Sequence, residues 1–485
     1  MSFNSKEFPL FFLLIVLAYF LTPYRHRWKL LLAGSYLFYM AWKPEYASWL
    51  IVLTLIDYFC ALRMGARRTK EGRLPWLLVS VGANLLLLIG FKYAGFLSET
   101  LRSVCGALGI AYGTHAFQVL LPLGISFHTL QTIGYSIDVY RGVKEPEKHL
   151  GLFALYVSFF PQLVAGPIER STTLLPQFRK HFDFKYVRVV EGLRLMLWGL
   201  FKKIVIADRL ALYVDAVYGN PLAFGAAPTA LATLFFAFQI YCDFSGYSDI
   251  AIGTAKVLGY NLTINFNRPY VARSIREFWR RWHISLSSWF RDYVYVPLGG
   301  NRVSTAAWVL IILLVFLLSG LWHGANWTFC VWGLIHGTYY MVSRVTARTR
   351  GALRDFAGIS PDSRLLRAAS ILLTFLSVCF AWVFFRAASL SDAMQLVSNL
   401  ARFRGVQGAQ TGVLINSLFG YKGLALDCML IVFLLVTEAV VKEQRIEKYW
   451  SARPLVWRWG AAYLIIFAMI ILGNLGRNEF IYFQF

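Results

Sequence analysis

Charge is scarce in this chain. Only 15% of its 485 residues are Asp, Glu, Lys or Arg, against roughly 25% in an average soluble domain. Acidic charge is scarcer still: 25 acidic residues stand against 48 basic ones, a formal net charge of +23. The six cysteines, Cys60, Cys105, Cys242, Cys330, Cys379 and Cys428, are scattered, mostly within apolar runs. No CxxC or Cys/His ligand spacing links them, so they read as buried thiols and no metal site is expected. No basic region precedes the first apolar run, which follows "MSFNSKEF" and reads as a membrane helix rather than a cleaved signal. No internal repeat is visible, which counts against a transporter built from inverted repeats. Nothing resembles a nucleotide-binding P-loop.

What the chain has in quantity is apolar surface. Hydrophobic residues make up 58%, and the mean hydropathy is +0.55. Long apolar runs recur at 10–21, 49–62, 76–91, 366–385 and 424–441. Several fall short of the roughly 20 residues of a full span, and their aromatic flanks complete them. The pattern predicts an all-α polytopic membrane protein with about eleven spans and re-entrant pieces in the middle. Residues 1–485 read as one membrane domain, its motifs concentrated at about 117–345 and an aromatic tail at 477–485.

The positive charge fits this picture better than it fits nucleic acid. Basic clusters "YRHRWK" (24–29), "RMGARRTKEGR" (63–73), "RGVKEPEKH" (141–149), "RVTARTRGALR" (344–354) and "VKEQRIEKYWSARP" (441–454) punctuate the apolar runs. Loops of this kind face the cytoplasm and its anionic lipids. Counting outward from them predicts both termini on the outer side, with a last helix near 459–472.

The middle of the chain is chemically odd for a membrane bundle. In "YCDFSGYSDIAIG" (241–253), Asp243, Ser245 and Asp249 sit in apolar surroundings. Intramembrane carboxylates face a bundle interior or a watery cavity, or else pair with basic groups to pin the core. "NFNRPY" (265–270) breaks the helix, because Pro269 disfavours a helical Arg268. An amphipathic interfacial helix is then predicted, with Ile275, Phe278, Trp279, Trp282, Leu286 and Trp289 on one face. Arg276, Arg280, His283, Ser287 and Arg291 share the period on another. Two readings suit that basic face. It contacts lipid headgroups, or Arg276, Arg280, Arg281 and His283 form a rim for the phosphates of an acyl donor such as coenzyme A.

"FLLSGLWHGANWTFCVWGLIHG" (316–337) carries His323 and His336 within an apolar stretch. On one continuous helix they would lie about 20 Å apart on different faces. They are therefore no helical metal pair, which needs i, i+4 spacing. The polar neighbours Ser319, Asn326 and Thr328 favour an active-site cavity, in which an imidazole acts as general base on a hydroxyl.

Five stretches carry a family resemblance: "LPLGISFHTLQTIGYSIDVYRG" (121–142), "FFPQLVAGPIER" (159–170), "YCDFSGYSDIAIG" (241–253), "REFWRRWHISLSSWFRDYVYVPLGGNR" (276–302) and "SGLWHGANW" (319–327). They resemble the membrane-bound O-acyltransferases, the MBOAT family. The likeness is greatest to the bacterial branch serving alginate, cellulose, peptidoglycan and teichoic acids. The family's essential histidine falls on His323 and its second histidine on His283. At His128 this chain departs from relatives that often carry tyrosine. The resemblance implies a ring of tilted helices around a central cavity. A donor enters from the cytoplasm and an acceptor from outside, in a bacterial inner membrane. It also implies transfer of an acetyl group from acetyl-CoA to a cell-surface polysaccharide, with no permanently bound cofactor.

The resemblance further implies a separate extracytoplasmic SGNH-type acyltransferase as partner. In related D-alanylation systems a similar aromatic tail resembles an acyl relay, which would make Tyr482 of "NEFIYFQF" (478–485) an acyl acceptor. The plainer reading of that tail is an interfacial aromatic anchor. D-alanyl transfer from a carrier protein is a second enzymatic reading, and a non-enzymatic polysaccharide exporter a third.

Overall fold

The apolar runs fold as helices, and no β-strand occurs among the described residues. The computed structural model describes residues 1–111, 113, 122, 124–360, 363–401, 420–442, 445–473 and 480–481. Seven helices among them are long and apolar enough to cross a membrane. This criterion counts seven where the sequence predicts about eleven; Phe8–Leu21 is apolar but too short to be included. The chain divides into two compact units, one of Met1–Met196 with Tyr247–Thr263, the other of Leu197–Gly246 with Ile264–Phe485.

In the first unit a buried polar cluster joins three helices. Asp57, on Tyr46–Gly65, accepts from the Ser80 hydroxyl (2.6 Å) and from Asn84 Nδ2 (2.9 Å), both on Lys70–Leu88. The Asn84 carbonyl accepts in turn from Thr132 Oγ1 (2.9 Å) on Ile125–Arg141. Such bonds satisfy these polar side chains away from water and tie helix to helix.

The second unit is organised around a helical hairpin, Thr305–His323 followed by Trp327–Val345. Its helices approach through glycine. A Cβ on Gly320 would overlap the Phe329 carbonyl, and one on Gly333 the Phe316 carbonyl. Small residues at such contacts let backbones close up where lipid supplies no hydrophobic drive. The helix Leu455–Leu472, of the same unit, presents apolar side chains outward, Val456 and Trp457 among them, as a lipid-facing helix does.

Candidate active site

The predicted amphipathic helix is two short helices, Ile275–Arg281 and Ile284–Phe290. Between them His283 adopts a left-handed backbone, φ 42°, which a residue with a Cβ rarely does. The preceding polar loop holds this break open. The Asn265 carbonyl accepts from the Ile284 N–H (3.0 Å), and Asn265 Oδ1 accepts from the Ser285 N–H (3.2 Å) and hydroxyl (2.7 Å). The Asn267 N–H donates to the Arg281 carbonyl (2.9 Å). Backbone groups freed by the interruption thus find partners.

The break separates side chains that a continuous helix would place together. Arg276 and Arg280 are exposed and line a cavity of about 840 Å3 together with Arg291, Arg344 and Arg350. They also border a second, more polar cavity of about 480 Å3, lined in addition by Asn267, Ser274, Glu277 and Arg281. Arg281 is committed to structure: it pairs with Glu277 (2.8 Å) and donates to the Asn267 carbonyl (3.1 Å). His283 instead turns inward and is fully buried, its ring 4.6 Å from Phe244 and 5.8 Å from Trp322. Burial pushes its imidazole down to about 3. His283 therefore stays neutral at physiological pH and carries no charge for a phosphate.

The stretch 316–337 is the hairpin itself. Gly324 is extended at φ −161° and ends the first helix. Asn326 caps the second, its Oδ1 accepting from the Thr328 N–H (3.0 Å) while its Nδ2 donates to the Ala388 carbonyl (3.0 Å). Reversal of the chain brings together the two histidines that one straight helix would hold apart. His323 and His336 each lie 5.0 Å, ring to ring, from Trp332. Trp322 (4.9 Å) and Phe385 (5.3 Å) complete the wall around His323, and the His283 ring is 6.4 Å away. His336 packs against Trp279 at 5.0 Å. The lining of the larger cavity includes Trp279, Phe316 and Ser319. Ser319 is one helical turn before His323, a rise of about 6 Å.

The acidic stretch resolves differently at each residue. Asp243 is buried and paired with Lys203, whose ammonium also holds Asp208 at 2.9 Å. The Ser245 hydroxyl accepts from Lys202 (2.7 Å). Asp243 also accepts the backbone N–H of Ile481 at 2.7 Å, and the neighbouring Phe480 packs on Phe244 at 5.7 Å. Asp249 is half-buried and belongs to the other unit. Tyr482 lies outside the described residues.

Sequence reasoning missed Lys202 and Lys203, although two adjacent lysines in "GLFKKIVIA" (199–207) are the signal that intramembrane charge gives. It also missed Arg344 and Arg350 as cavity residues, since both sit in a cluster that reads as an ordinary cytoplasmic loop. Among the described residues no group of three or more His, Cys, Asp or Glu side chains is placed to hold a metal ion.

Comparison with known proteins places these features in a family. Residues 149–352 match the model of the membrane-bound O-acyltransferase family. The chain is 40% identical over 410 residues to a probable alginate O-acetylase of Azotobacter vinelandii, covering 83% of this chain and 78% of that protein. It is 36% identical to a peptidoglycan O-acetyltransferase of Helicobacter pylori, over 78% of this chain and 74% of the relative. A teichoic acid D-alanyltransferase of Streptococcus thermophilus is 27% identical over 56% of this chain and 74% of its own length. With relatives this similar over so much of their length, the chain belongs to the membrane-bound O-acyltransferase family and is a multi-pass O-acyltransferase.

Proposed function

We propose that this enzyme takes an acetyl group from cytoplasmic acetyl-CoA and passes it across a bacterial inner membrane for O-acetylation of a cell-surface polysaccharide. One observation carries the reading. A cavity lined by five arginines also has an apolar lining that includes Ile312, Val315 and Phe316, and it reaches Ser319, on the same helix as His323. Coenzyme A is a molecule of that kind, phosphorylated at one end and ending in a thioester on a flexible arm. Arginine suits the phosphates because its planar fork makes paired, charge-assisted bonds to them.

In this reading His323 is the general base. Its imidazole removes the proton of an acceptor hydroxyl, and the oxygen attacks the thioester carbonyl. The tetrahedral intermediate then expels the coenzyme A thiolate, which takes up the proton from the imidazolium. The acceptor arrives from the extracytoplasmic side, where both termini are proposed to lie. It is either the polymer or Tyr482, from which an SGNH-type partner would collect the acetyl ester. A phenol is a better leaving group than a serine alkoxide, so that second transfer runs downhill. Phe480 and Ile481, the residues before Tyr482, are buried, which supports this reading.

The test is transfer of label from acetyl-CoA in membranes containing the chain and its polymer. Label should reach the polymer, and His323→Ala should cut transfer by ~10²–10⁴-fold at near-normal membrane levels. A His323→Ala protein that keeps most of its activity would sink the assignment. Transfer only from a D-alanyl carrier protein would instead favour the activity named for the more distant relatives.

A further inference from the structure

Three non-glycine residues among those described have a left-handed backbone: Arg268 (φ 45°), His283 and Lys442 (φ 54°). Arg268 does so directly before Pro269, which pushes its neighbour towards extended dihedrals. Lys442 does so just past the helix Gly420–Val441, where glycine is the usual residue. Both line one further cavity of the second unit, of about 820 Å3. Backbone strain of this kind clusters at ligand clamps.

The cavity has a charged end and an apolar end. Arg268 Nη1 donates to the Glu438 carbonyl (3.3 Å), while Nη2 makes no bond and is not enclosed. The Lys442 side chain is exposed and makes no ion pair among the described residues. Glu438 is the acidic residue of the lining, and its carboxylate accepts from the Tyr241 hydroxyl. Two cations against one carboxylate leave a net charge of +1, the complement of a single phosphate diester. The apolar end is made by Leu435, Ala439, Val440 and Val441, on a helix long and apolar enough to cross a membrane. Met429, Val432, Val436 and Val440 form an exposed ridge on that helix, spaced by three and four residues, that runs up to the cavity. Hydrocarbon covers such a ridge, and basic residues at its end mark headgroup depth.

We infer that this cavity binds a membrane glycerophospholipid, with its phosphate between Arg268 and Lys442 and its acyl chains along the ridge. The guanidinium fork suits a phosphate oxygen, and the lysine adds a second, mobile charge. Tyr449 stands on the wall as an interfacial aromatic does, with the Arg453 guanidinium 4.2 Å over its ring. A soluble anion would use the charged end and leave the apolar end bare; a phospholipid uses both. Arg268 belongs to the loop whose Asn265 and Asn267 hold open the break at His283, so the lipid is a ligand of that loop.

The test is photolabelling of the full chain, delipidated in a phosphate-free maltoside detergent, by phosphatidylglycerol bearing a diazirine on one acyl chain. Labelling should saturate and should map by mass spectrometry to residues 429–442. Lys442→Gly removes the charge and also relieves the left-handed backbone. It should therefore weaken half-saturation about fivefold while melting no lower than the wild type, which loss of a merely structural lysine would not produce. Arg268→Gln should weaken it to a similar degree. Unchanged half-saturation in Lys442→Gly overturns the inference, whatever Arg268→Gln does to folding. So does a diacylglycerol probe with the same chains that labels as tightly, since the phosphate is then not recognised. Displacement of the lipid probe by inorganic phosphate or acetyl-CoA also overturns it and assigns the cavity to a soluble anion.

Discussion

Replacing Lys203 by methionine should destabilise the second unit more than any other single change of charge in it. The ammonium sits between Asp208, at 2.9 Å, and Asp243, and the two carboxylates are 4% and 2% exposed. Methionine keeps most of the aliphatic length and removes the charge, leaving two buried carboxylates without their common cation. Breaking a buried pair from one side costs about 3–5 kcal/mol, a factor of roughly 10² to several times 10³ in the folded-to-unfolded ratio. Asp243→Asn should be much milder. Lys203 keeps Asp208, and the new amide oxygen can still accept the Ile481 N–H, so the loss is about 1 kcal/mol, that of a weakened hydrogen bond. The triple variant Lys203→Met, Asp208→Asn, Asp243→Asn removes every charge and should melt closer to the wild type than Lys203→Met does. Thermal unfolding in detergent, read by intrinsic fluorescence and by size-exclusion recovery, ranks the three. A Lys203→Met protein that melts with the wild type, or a triple variant less stable than the single, would refute the reasoning.

Two further outcomes are expected. Arg280→Glu should raise the apparent KM for acetyl-CoA and reduce its dependence on salt, because Arg280 is exposed on the cavity wall; a KM equal to the wild type would return this face to lipid contact. Asn326→Ala should lose about 1 kcal/mol of stability, as a removed helix cap does, while the folded fraction keeps its rate; a rate loss of 10²-fold at unchanged stability would instead make Asn326 part of the chemistry.

Much of the fold was legible because hydrocarbon imposes strict terms on a sequence. Runs such as 366–385 and 424–441 have few charges and no alternative to helix. The motif-bearing middle was legible as residue types and less so as geometry. Residues 275–291 keep a helical period across positions where the chain is not helical. What interrupts them is Asn265, ten residues or more upstream, and no local pattern announces a bond from a distant side chain. His283 accordingly reads as a rim residue by spacing and lies buried in the structure. The hairpin at 324–326 was closer to the surface of the sequence. "GAN" combines a residue tolerant of extended and bent backbones with a strong helix cap, and glycine at 320 is a residue type that permits bending or close packing. The partner of Gly320, Phe329 on the returning helix, was not legible.

The hairpin also bears on why an acyltransferase would bury its histidine among rings. In the proposed reaction the donor is a thioester, which is open to hydrolysis, so a base surrounded by water would waste it. His323 is 3% exposed, walled by Trp322, Trp332 and Phe385 at ring distances of 4.9–5.3 Å. Exclusion of water of this kind protects reactive groups and strengthens the polar contacts that remain. It also demands precision, because a dry site has no solvent to bridge a misplaced group. The precision comes from backbone contact. Gly320 against Phe329 and Gly333 against Phe316 leave no room for a side chain, so the two helices have one register. Trp332 is next to Gly333 in that register and touches both His323 and His336. The side chain that faces His323 is therefore placed by the same contact that closes the hairpin. His336, through Trp279, extends that placement to the wall of the arginine-lined cavity. Packing at the glycines and alignment at the histidine are one mechanical problem, which the chain solves with residues whose only contribution is the absence of a side chain.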